Sequence, residues 1–271
     1  MPESASAPDG HPAIDTGVPH NARIWNHWLG GTDNFPVDRE MGERIRAVFP
    51  EIVDNARADR EFLVRAVRYL TAEAGVRQFL DIGSGLPTRD NTHEVAQAAA
   101  PEARVVYVDN DPMVIAHARA LLAGGPEGAT DFVGADLRDP GRVLDAAART
   151  LDLSRPVGLM LLGSLNFVSD DAEVRRVLDR LTGALAPGSH LVISHPTAAL
   201  NPERAREVVA AWNERGTPKL TLRSPEAIAG MFQGLELLDP GVVSCSLWRP
   251  APDRPDDAVV VDEYCGVARK P

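Results

Sequence analysis

The spacing of apolar positions changes near residue 76 and divides the chain into two parts. Residues 20–75 carry apolar side chains at helical spacing, as in Ile24 and Trp28, and predict three helices. These helices are expected at about 21–29, 37–48 and 51–74. Because they precede the first strand, we expect them to pack on the sheet as a helical cap, which we place at residues 14–75. Residues 1–13 are small, polar and proline-rich, and they predict a mobile tail.

From residue 77 onward, short apolar runs alternate with helical segments. This alternation is typical of an α/β fold with a parallel sheet. The predicted strands lie at 77–82, 103–108, 130–134, 157–162, 190–194, 241–247 and 258–267. The predicted helices lie at about 90–99, 112–124, 140–149, 171–184 and 202–215, with a short one behind Ser224. The proline- and aspartate-rich stretch 249–257 is interpreted as the connection between the last two strands.

Three successive predicted strands end at an aspartate. Asp109 follows Asp81 by 28 residues, and Asp136 follows Asp109 by 27. In a parallel sheet these three side chains share the carboxyl edge, where ligands bind. After Asp81 the chain runs through Gly83, Ser84 and Gly85, and such a turn lets the backbone approach a ligand closely.

Each aspartate has a distinct expected role in binding a nucleoside. An acidic group after the second strand accepts hydrogen bonds from both ribose hydroxyls, and we assign this role to Asp109. Asp136 is expected to bind the exocyclic amine of an adenine, with Leu137 and Met113 against the ring. Asp81 is expected to hold an ammonium group. Asn110 and Asp111 are candidate cofactor contacts, and Asp111 also suits the N-cap of the next helix.

A nicotinamide dinucleotide fits this turn less well than a cationic ligand does. The dinucleotide fingerprint GxGxxG, begun at Gly83, requires glycine at position 88, where this chain has Thr88. A pyrophosphate depends on open backbone amides at a helix N-terminus, and Asp81 adds negative charge beside it. An NAD(P)-binding oxidoreductase therefore stays an alternative.

The motif Asp81-Ile82-Gly83-Ser84-Gly85, with Asp109 and Asp136, resembles the class I S-adenosylmethionine-dependent methyltransferases. The stretches 21–25, 29–35, 79–88 and 106–112 are similar to a group of actinobacterial methyltransferase-like proteins, in which Leu-Pro follows the glycine turn as Leu86-Pro87 does here. The resemblance implies a Rossmann-like three-layer sandwich. Its mostly parallel seven-stranded sheet has an antiparallel last strand. Residues 76–271 would form the S-adenosylmethionine-binding domain.

Two segments outside the three strand ends are also candidate cofactor contacts. The loop after the first helix contains Gly30, Gly31, Asp33 and Asn34, and we expect it to close over the cofactor. Arg23 is expected to reach the carboxylate of the methionine part, with Arg57 and Arg60 as alternatives on a solvated helix face. Gly163 and Ser164 follow the fourth strand, where methyl donor and acceptor would meet.

Composition limits the expected partners. The chain has 271 residues and a net charge of −11, which argues against a general nucleic-acid binder. No apolar run resembles a signal peptide or a membrane span, so we expect a soluble cytoplasmic protein. Cys245 and Cys265 show no metal-ligand spacing. We therefore expect a small-molecule substrate, no membrane or nucleic-acid partner and no metal, while the oligomeric state stays open.

No catalytic residue is evident from the sequence. His195 ends the fifth strand and could act as a general base, although a structural backbone bond is the preferred interpretation. Methyl transfer from a sulfonium needs mainly positioning, so a base can be dispensable. The expected function is S-adenosylmethionine-dependent methyl transfer to a small acceptor, with a non-catalytic S-adenosylmethionine-binding protein as a second alternative.

Overall fold

The structure is a computed structural model that describes residues 15–121, 125–250 and 259–271. The helices are α1 (Asn21–Trp28), α2 (Pro36–Val48), α3 (Ile52–Ala72), α4 (Thr92–Ala99), α5 (Pro112–Leu121), α6 (Pro140–Ala147), α7 (Asp171–Gly183), α8 (Pro202–Arg215) and α9 (Pro225–Gly230). The strands are β1 (Gln78–Ile82), β2 (Arg104–Asp109), β3 (Ala129–Gly134), β4 (Gly158–Leu162), β5 (His190–Pro196), β6 (Glu236–Leu237), β7 (Val243–Ser244) and β8 (Glu263–Arg269).

The strands form one sheet in the order β3-β2-β1-β4-β5-β8-β6, and β7 also pairs with β8. Strands β1 to β5 are parallel, while β8 runs antiparallel to β5. This confirms the predicted α/β fold with a mostly parallel sheet and an antiparallel last strand. Sequence reasoning missed β6, because two residues are too short to produce an alternating pattern. The predicted strand 241–247 is reduced to Val243–Ser244 and then turns into a short 3₁₀ segment.

Alternate residues of the central strands enter two apolar cores, one on each face of the sheet. Leu80 and Leu161 face the core formed with α6, α7 and α9. Phe79 and Met160 face the opposite core, which contains Phe62 of α3 and residues of α4. Because both faces are covered, the central strands are buried along their length, as parallel strands require. Helix α3 is therefore part of the sheet's own helical layer.

The other helices before the sheet form a smaller cluster. Ile24 of α1 and Ile45 of α2 pack with Trp212 of α8. Within the described ranges no helix is long and apolar enough to cross a membrane. The predicted tail 1–13, the end of the helix near residue 124 and most of the connection 249–257 lie outside the described residues.

A buried ion pair fixes the start of the described chain against α2. Arg23 is only 3% exposed, and its Nε lies 3.2 Å from Oδ2 of the fully buried Asp38. The guanidinium also donates to the carbonyl oxygens of Asp15 (3.1 Å) and Val18 (2.7 Å). Asp38 accepts further hydrogen bonds from backbone amides, including that of Phe35 at 2.8 Å. Arg23 therefore has a structural role, in which its buried side chain holds the N-terminal segment against α2.

Arg23→Met should lower the free energy of unfolding by about 3–5 kcal/mol, because Asp38 would keep a buried charge without its partner. The matched control is Arg39→Met, since Arg39 is exposed and binds Asn34. Urea denaturation of both variants measures the difference. Equal losses of stability in the two variants would contradict the structural role given to Arg23.

Candidate functional site

A cleft opens at the carboxyl ends of β1, β2 and β4, where the strand order reverses between β1 and β4. Such switch points are where open α/β sheets bind ligands. The cleft contains about 1100 Å³ of empty space, a figure that includes the part open to solvent. Helices α1 and α3 form its outer wall through residues that include Trp25, Leu29, Asp59 and Arg60.

The glycine turn after β1 forms the floor of the cleft. Gly83 has φ +79° and Gly85 has φ +66°, a backbone region that other residues rarely adopt. The amide of Gly83 donates to the carbonyl oxygen of Val108 at 2.7 Å, which ties the turn to β2. A Cβ on Gly83 would lie 2.6 Å from the Cβ of Ser164. Position 83 therefore requires glycine for both its conformation and its contact with the loop after β4.

Asp109, at the end of β2, is the anchor of the neighbouring loop. Its Oδ2 accepts the amide of Gly85 at 3.0 Å, and its Oδ1 accepts the amide of Asp111 at 2.9 Å. An ionised carboxylate has about four acceptor positions, so about two stay available to a ligand. Burial raises the pKa of Asp109, and the two amide bonds oppose that shift. Asn110 lines the cleft beside it and is exposed.

Asp81 and Arg60 stand at the other end of the glycine turn. Asp81 is buried and accepts a hydrogen bond from Thr92 Oγ1 at 2.6 Å. Burial raises the pKa of Asp81 to about 6, against the opposing effects of Thr92 and the Arg60 guanidinium. Arg60 donates to the carbonyl oxygen of Arg89 at 2.8 Å and to Asn91 Oδ1 at 3.2 Å. A carboxylate and a guanidinium thus lie together on the cleft wall.

Asp59 is a cleft residue that the sequence did not lead us to expect, whereas Arg60 was expected only as an alternative to Arg23. Asp59 is 7% exposed, and burial raises its pKa to about 6, with the Ser194 hydroxyl and Arg60 opposing. A signal existed for Asp59, since it lies three and four residues before Phe62 and Leu63 on the apolar stripe of the helix. The expected solvated position of Arg60 is wrong, because Arg60 lines the cleft, whereas Arg57 is exposed as expected.

Nine of the fourteen residues expected to bind the cofactor line the cleft. They are Asp81, Gly83, Ser84, Gly85, Asp109, Asn110, Leu137, Gly163 and Ser164. Five do not line it within the described part of the chain: Arg23, Asp33, Asn34, Asp111 and Asp136.

Each of these five side chains is engaged elsewhere. Asp136 binds Arg138 through both carboxylate oxygens, and Arg138 lowers its pKa. Asp111 caps α5 through the amide of Met113 at 2.8 Å. The remaining three are Arg23, held by Asp38, Asp33, whose Oδ1 lies 3.9 Å from His117 Nδ1, and Asn34, which donates to Asn26 Oδ1 at 2.9 Å.

The loop after α1 reaches the cleft indirectly. Asn26, which lines the cleft and is 3% exposed, accepts a hydrogen bond from Asn34. Asn34 also donates to the carbonyl oxygen of Gly31 at 3.0 Å. Asn34 therefore supports Asn26 rather than contacting the cleft directly.

His195 is a structural residue and not a base of this cleft. It is fully buried, its Nε2 faces Arg223 Nη1 at 3.0 Å, and its Nδ1 lies 2.8 Å from the carbonyl oxygen of Pro196. Burial lowers its pKa to about 4. The general-base hypothesis is therefore wrong, and the backbone-bond interpretation describes this histidine.

Asp59→Asn should stabilise the protein at pH 7.5 by about 3 kcal/mol, and the gain should vanish near pH 4. The pKa of Asp59 is about 6 in the folded state against 3.8 as the ordinary value, so the folded state binds more protons between these pH values. Stability from neutral Asp59 is present below pH 3.8 and lost as the pH rises to 6. Urea denaturation across this pH range measures the difference in the free energy of unfolding between the variant and the unsubstituted protein. A difference that does not change with pH would contradict the raised pKa of Asp59.

Comparisons with known proteins identify the family. Residues 8–271 match the family model described as S-adenosyl methyltransferase. A DUF574 family protein of Streptomyces avermitilis is 42% identical, with a TM-score of 0.91 over 96% of this chain and 100% of that chain. A provisionally named methyltransferase of Thermobifida fusca is 42% identical, with a TM-score of 0.86 over 94% of this chain and 96% of that one.

Curated relatives agree with this result. A Mycobacterium avium (strain 104) protein, provisionally named an S-adenosyl-L-methionine-dependent methyltransferase, is 30% identical over 195 residues, or 69% of this chain and 58% of the relative. The chain thus spans about three fifths of the length of that relative. The match over 264 of its residues, 8–271, shows that the chain belongs to the S-adenosyl methyltransferase family, which confirms the predicted family and its cofactor, S-adenosylmethionine.

Proposed function

We propose that the chain transfers the methyl group of S-adenosylmethionine to a small-molecule acceptor. One observation carries this proposal: the cleft combines a buried carboxylate with free acceptor positions, Asp109, a tight glycine turn, and an acidic and a basic group beyond it, Asp81 and Arg60. Asp109 corresponds to the ribose of the cofactor, the glycine turn to its sulfonium, and Asp81 with Arg60 to its amino-acid part.

The nucleoside half of the cofactor is assigned to the β2 side of the cleft. Asp109 accepts the ribose hydroxyls with its remaining lone pairs, as an ionised acceptor of strong hydrogen bonds. Leu137 provides the contact with the adenine ring. Asp136 is not used, since Arg138 holds both of its carboxylate oxygens. Asn110, exposed beside Asp109, lies within the same part of the cleft.

The amino-acid half is assigned to the end of β1 and to α3. Asp81 takes the ammonium group and Arg60 takes the carboxylate, in place of Arg23. This choice rests on position, because Arg60 lines the cleft whereas the Arg23 guanidinium is held by Asp38 and two carbonyl oxygens. A dinucleotide fits less well, since its pyrophosphate would add negative charge beside the buried carboxylate of Asp81.

The chemistry requires alignment more than acid–base groups. The nucleophile of the acceptor approaches the methyl carbon in line with the carbon–sulfur bond, which breaks as the new bond forms and leaves S-adenosylhomocysteine. Holding both partners in this geometry supplies much of the rate enhancement. Trp25, Leu29 and Phe167 give the cleft an apolar wall that excludes water around the sulfonium. A cleft of this kind, partly open to solvent, admits a small acceptor.

Asp109→Asn should weaken S-adenosylhomocysteine binding about 10- to 100-fold, because hydrogen bonds to a charged acceptor contribute about 1.5–3 kcal/mol. Isothermal titration calorimetry measures the dissociation constant. Asp179→Asn is the control, since Asp179 is exposed on α7 and pairs with Arg175. Unchanged affinity in the Asp109 variant would contradict the ribose assignment.

Arg60→Met should weaken binding of S-adenosylhomocysteine about tenfold or more and leave 5′-methylthioadenosine, which lacks the amino-acid part, unaffected. Arg57→Met is the matched control, because Arg57 lies on the same helix, is exposed and pairs with Asp54. Titration of both ligands into both variants separates a contact with the amino-acid part from a contact with the nucleoside part. An equal loss for the two ligands would argue against the carboxylate contact.

Methyl transfer itself is tested by release of S-adenosylhomocysteine from S-adenosylmethionine in the presence of amine, hydroxyl, thiol and carboxylate acceptors. Acceptor-dependent release is the expected result. Tight cofactor binding without release on any of these acceptors would contradict an enzymatic role.

A further inference from the structure

Two buried polar side chains of the cleft have oxygens without a partner. Asp59 is 7% exposed and Ser164 is 5% exposed, and both line the cleft. Within the residues that the structure describes, Asp59 Oδ1 and Ser164 Oγ have no hydrogen-bond partner. Buried polar atoms normally have partners, so these two indicate a ligand group that completes them.

Their position separates them from the cofactor contacts proposed above. The hydroxyl of Ser194, at the end of β5, faces Asp59 and accepts the amide of Gly163 at 3.0 Å. Asp59 thus lies toward β4 and β5, whereas Asp109 closes β2. A cofactor bound by Asp109 and the glycine turn would leave Ser164 and Asp59 on the side of the cleft from which an acceptor would approach.

The charge of the cleft also calls for a cationic acceptor. Among residues 15–121, 125–250 and 259–271, three carboxylates line it, those of Asp59, Asp81 and Asp109, against the guanidinium of Arg60 and the imidazole of His20. His20 is already bound to Asp111, with Nδ1 and Oδ2 3.0 Å apart. S-adenosylmethionine brings one net positive charge, so one carboxylate stays uncompensated. A buried carboxylate is costly unless it gains a partner.

We propose that Asp59 and Ser164 form the acceptor subsite and that it takes an amine, whose ammonium head binds the Asp59 carboxylate and the Ser164 hydroxyl. This proposal rests on the proposed function and names its substrate class. Trp25, Leu29 and Phe167 line the same cleft and provide an apolar surface for the body of the amine.

The transfer step follows from this placement. Asp59 accepts one proton from the ammonium group, which frees the nitrogen lone pair. That pair forms the bond to the methyl carbon, the carbon–sulfur bond breaks, and its electron pair stays on sulfur as S-adenosylhomocysteine. The product is the N-methylated ammonium ion, and Asp59 later releases its proton to solvent. No oxidant, reductant or further reactant is needed.

Several other titratable groups lie around the Asp59 carboxylate. Arg60 on its own helix and Asp81 on β1 act on it in opposite directions. On β8, burial raises the pKa values of Glu263 and Cys265, and it does the same for Cys245, so in all three burial favours the neutral form.

The test compares benzylamine with benzyl alcohol, which share their body and differ in the reacting group. Each is titrated into the full chain saturated with S-adenosylhomocysteine. Benzylamine should bind about tenfold or more tightly than benzyl alcohol, because its charge pairs with a desolvated carboxylate. Asp59→Asn should abolish this preference and leave the affinity for S-adenosylhomocysteine unchanged.

Asp54→Asn is the control, since Asp54 lies on the same helix, is exposed and pairs with Arg57. It should retain the amine preference. Equal binding of the two probes, or a preference that survives in the Asp59 variant, would overturn the amine subsite while the proposed function stands. Failure to bind S-adenosylhomocysteine at all would instead refute the proposed function, and the subsite with it.

Discussion

The buried carboxylate of Asp109 holds the two loops that form the floor of the cleft. Its oxygens accept the amide of Gly85 from the loop after β1 and the amide of Asp111 from the loop after β2. These bonds fix the glycine turn relative to the neighbouring strand. The rest of the site depends on this arrangement, because the turn then brings Gly83 against Ser164 of the loop after β4. Three loops are thus positioned around one acceptor group.

The buried carboxylates of the site lower the stability of the fold, and the two apolar cores of the sheet offset this loss. Asp59 and Asp81 are buried carboxylates whose pKa values rise to about 6, so each charge opposes folding near neutral pH. Natural proteins keep such groups at functional sites and recover the loss elsewhere. Here the recovery comes from apolar layers on both faces of the sheet, which include Phe62, Phe79 and Leu161. An acceptor and a cofactor that carry positive charge would relieve the same cost.

Sequence reasoning worked where one strand and its end determine position. The ends of β1 and β2 placed Asp81 and Asp109 correctly, because parallel strands share a carboxyl edge. It failed where another side chain competes: Asp136 was predicted from the same rule, yet the neighbouring Arg138 binds its carboxylate. Arg23 was assigned by its charge, but burial beside Asp38 depends on tertiary packing that no local pattern contains. Asp59 was missed because its helix was interpreted only through its apolar stripe.

The most direct test of the central claim, that this cleft is an adenosine and amino-acid site, is a crystal structure of the protein with S-adenosylhomocysteine. We expect density in which both ribose hydroxyls lie within hydrogen-bonding distance of Asp109 and the carboxylate of the ligand contacts Arg60. The sulfur would lie near Ser164, toward the side of the cleft that holds Asp59. Density elsewhere on the protein, or a ribose that does not contact Asp109, would contradict the proposal that this cleft binds the cofactor.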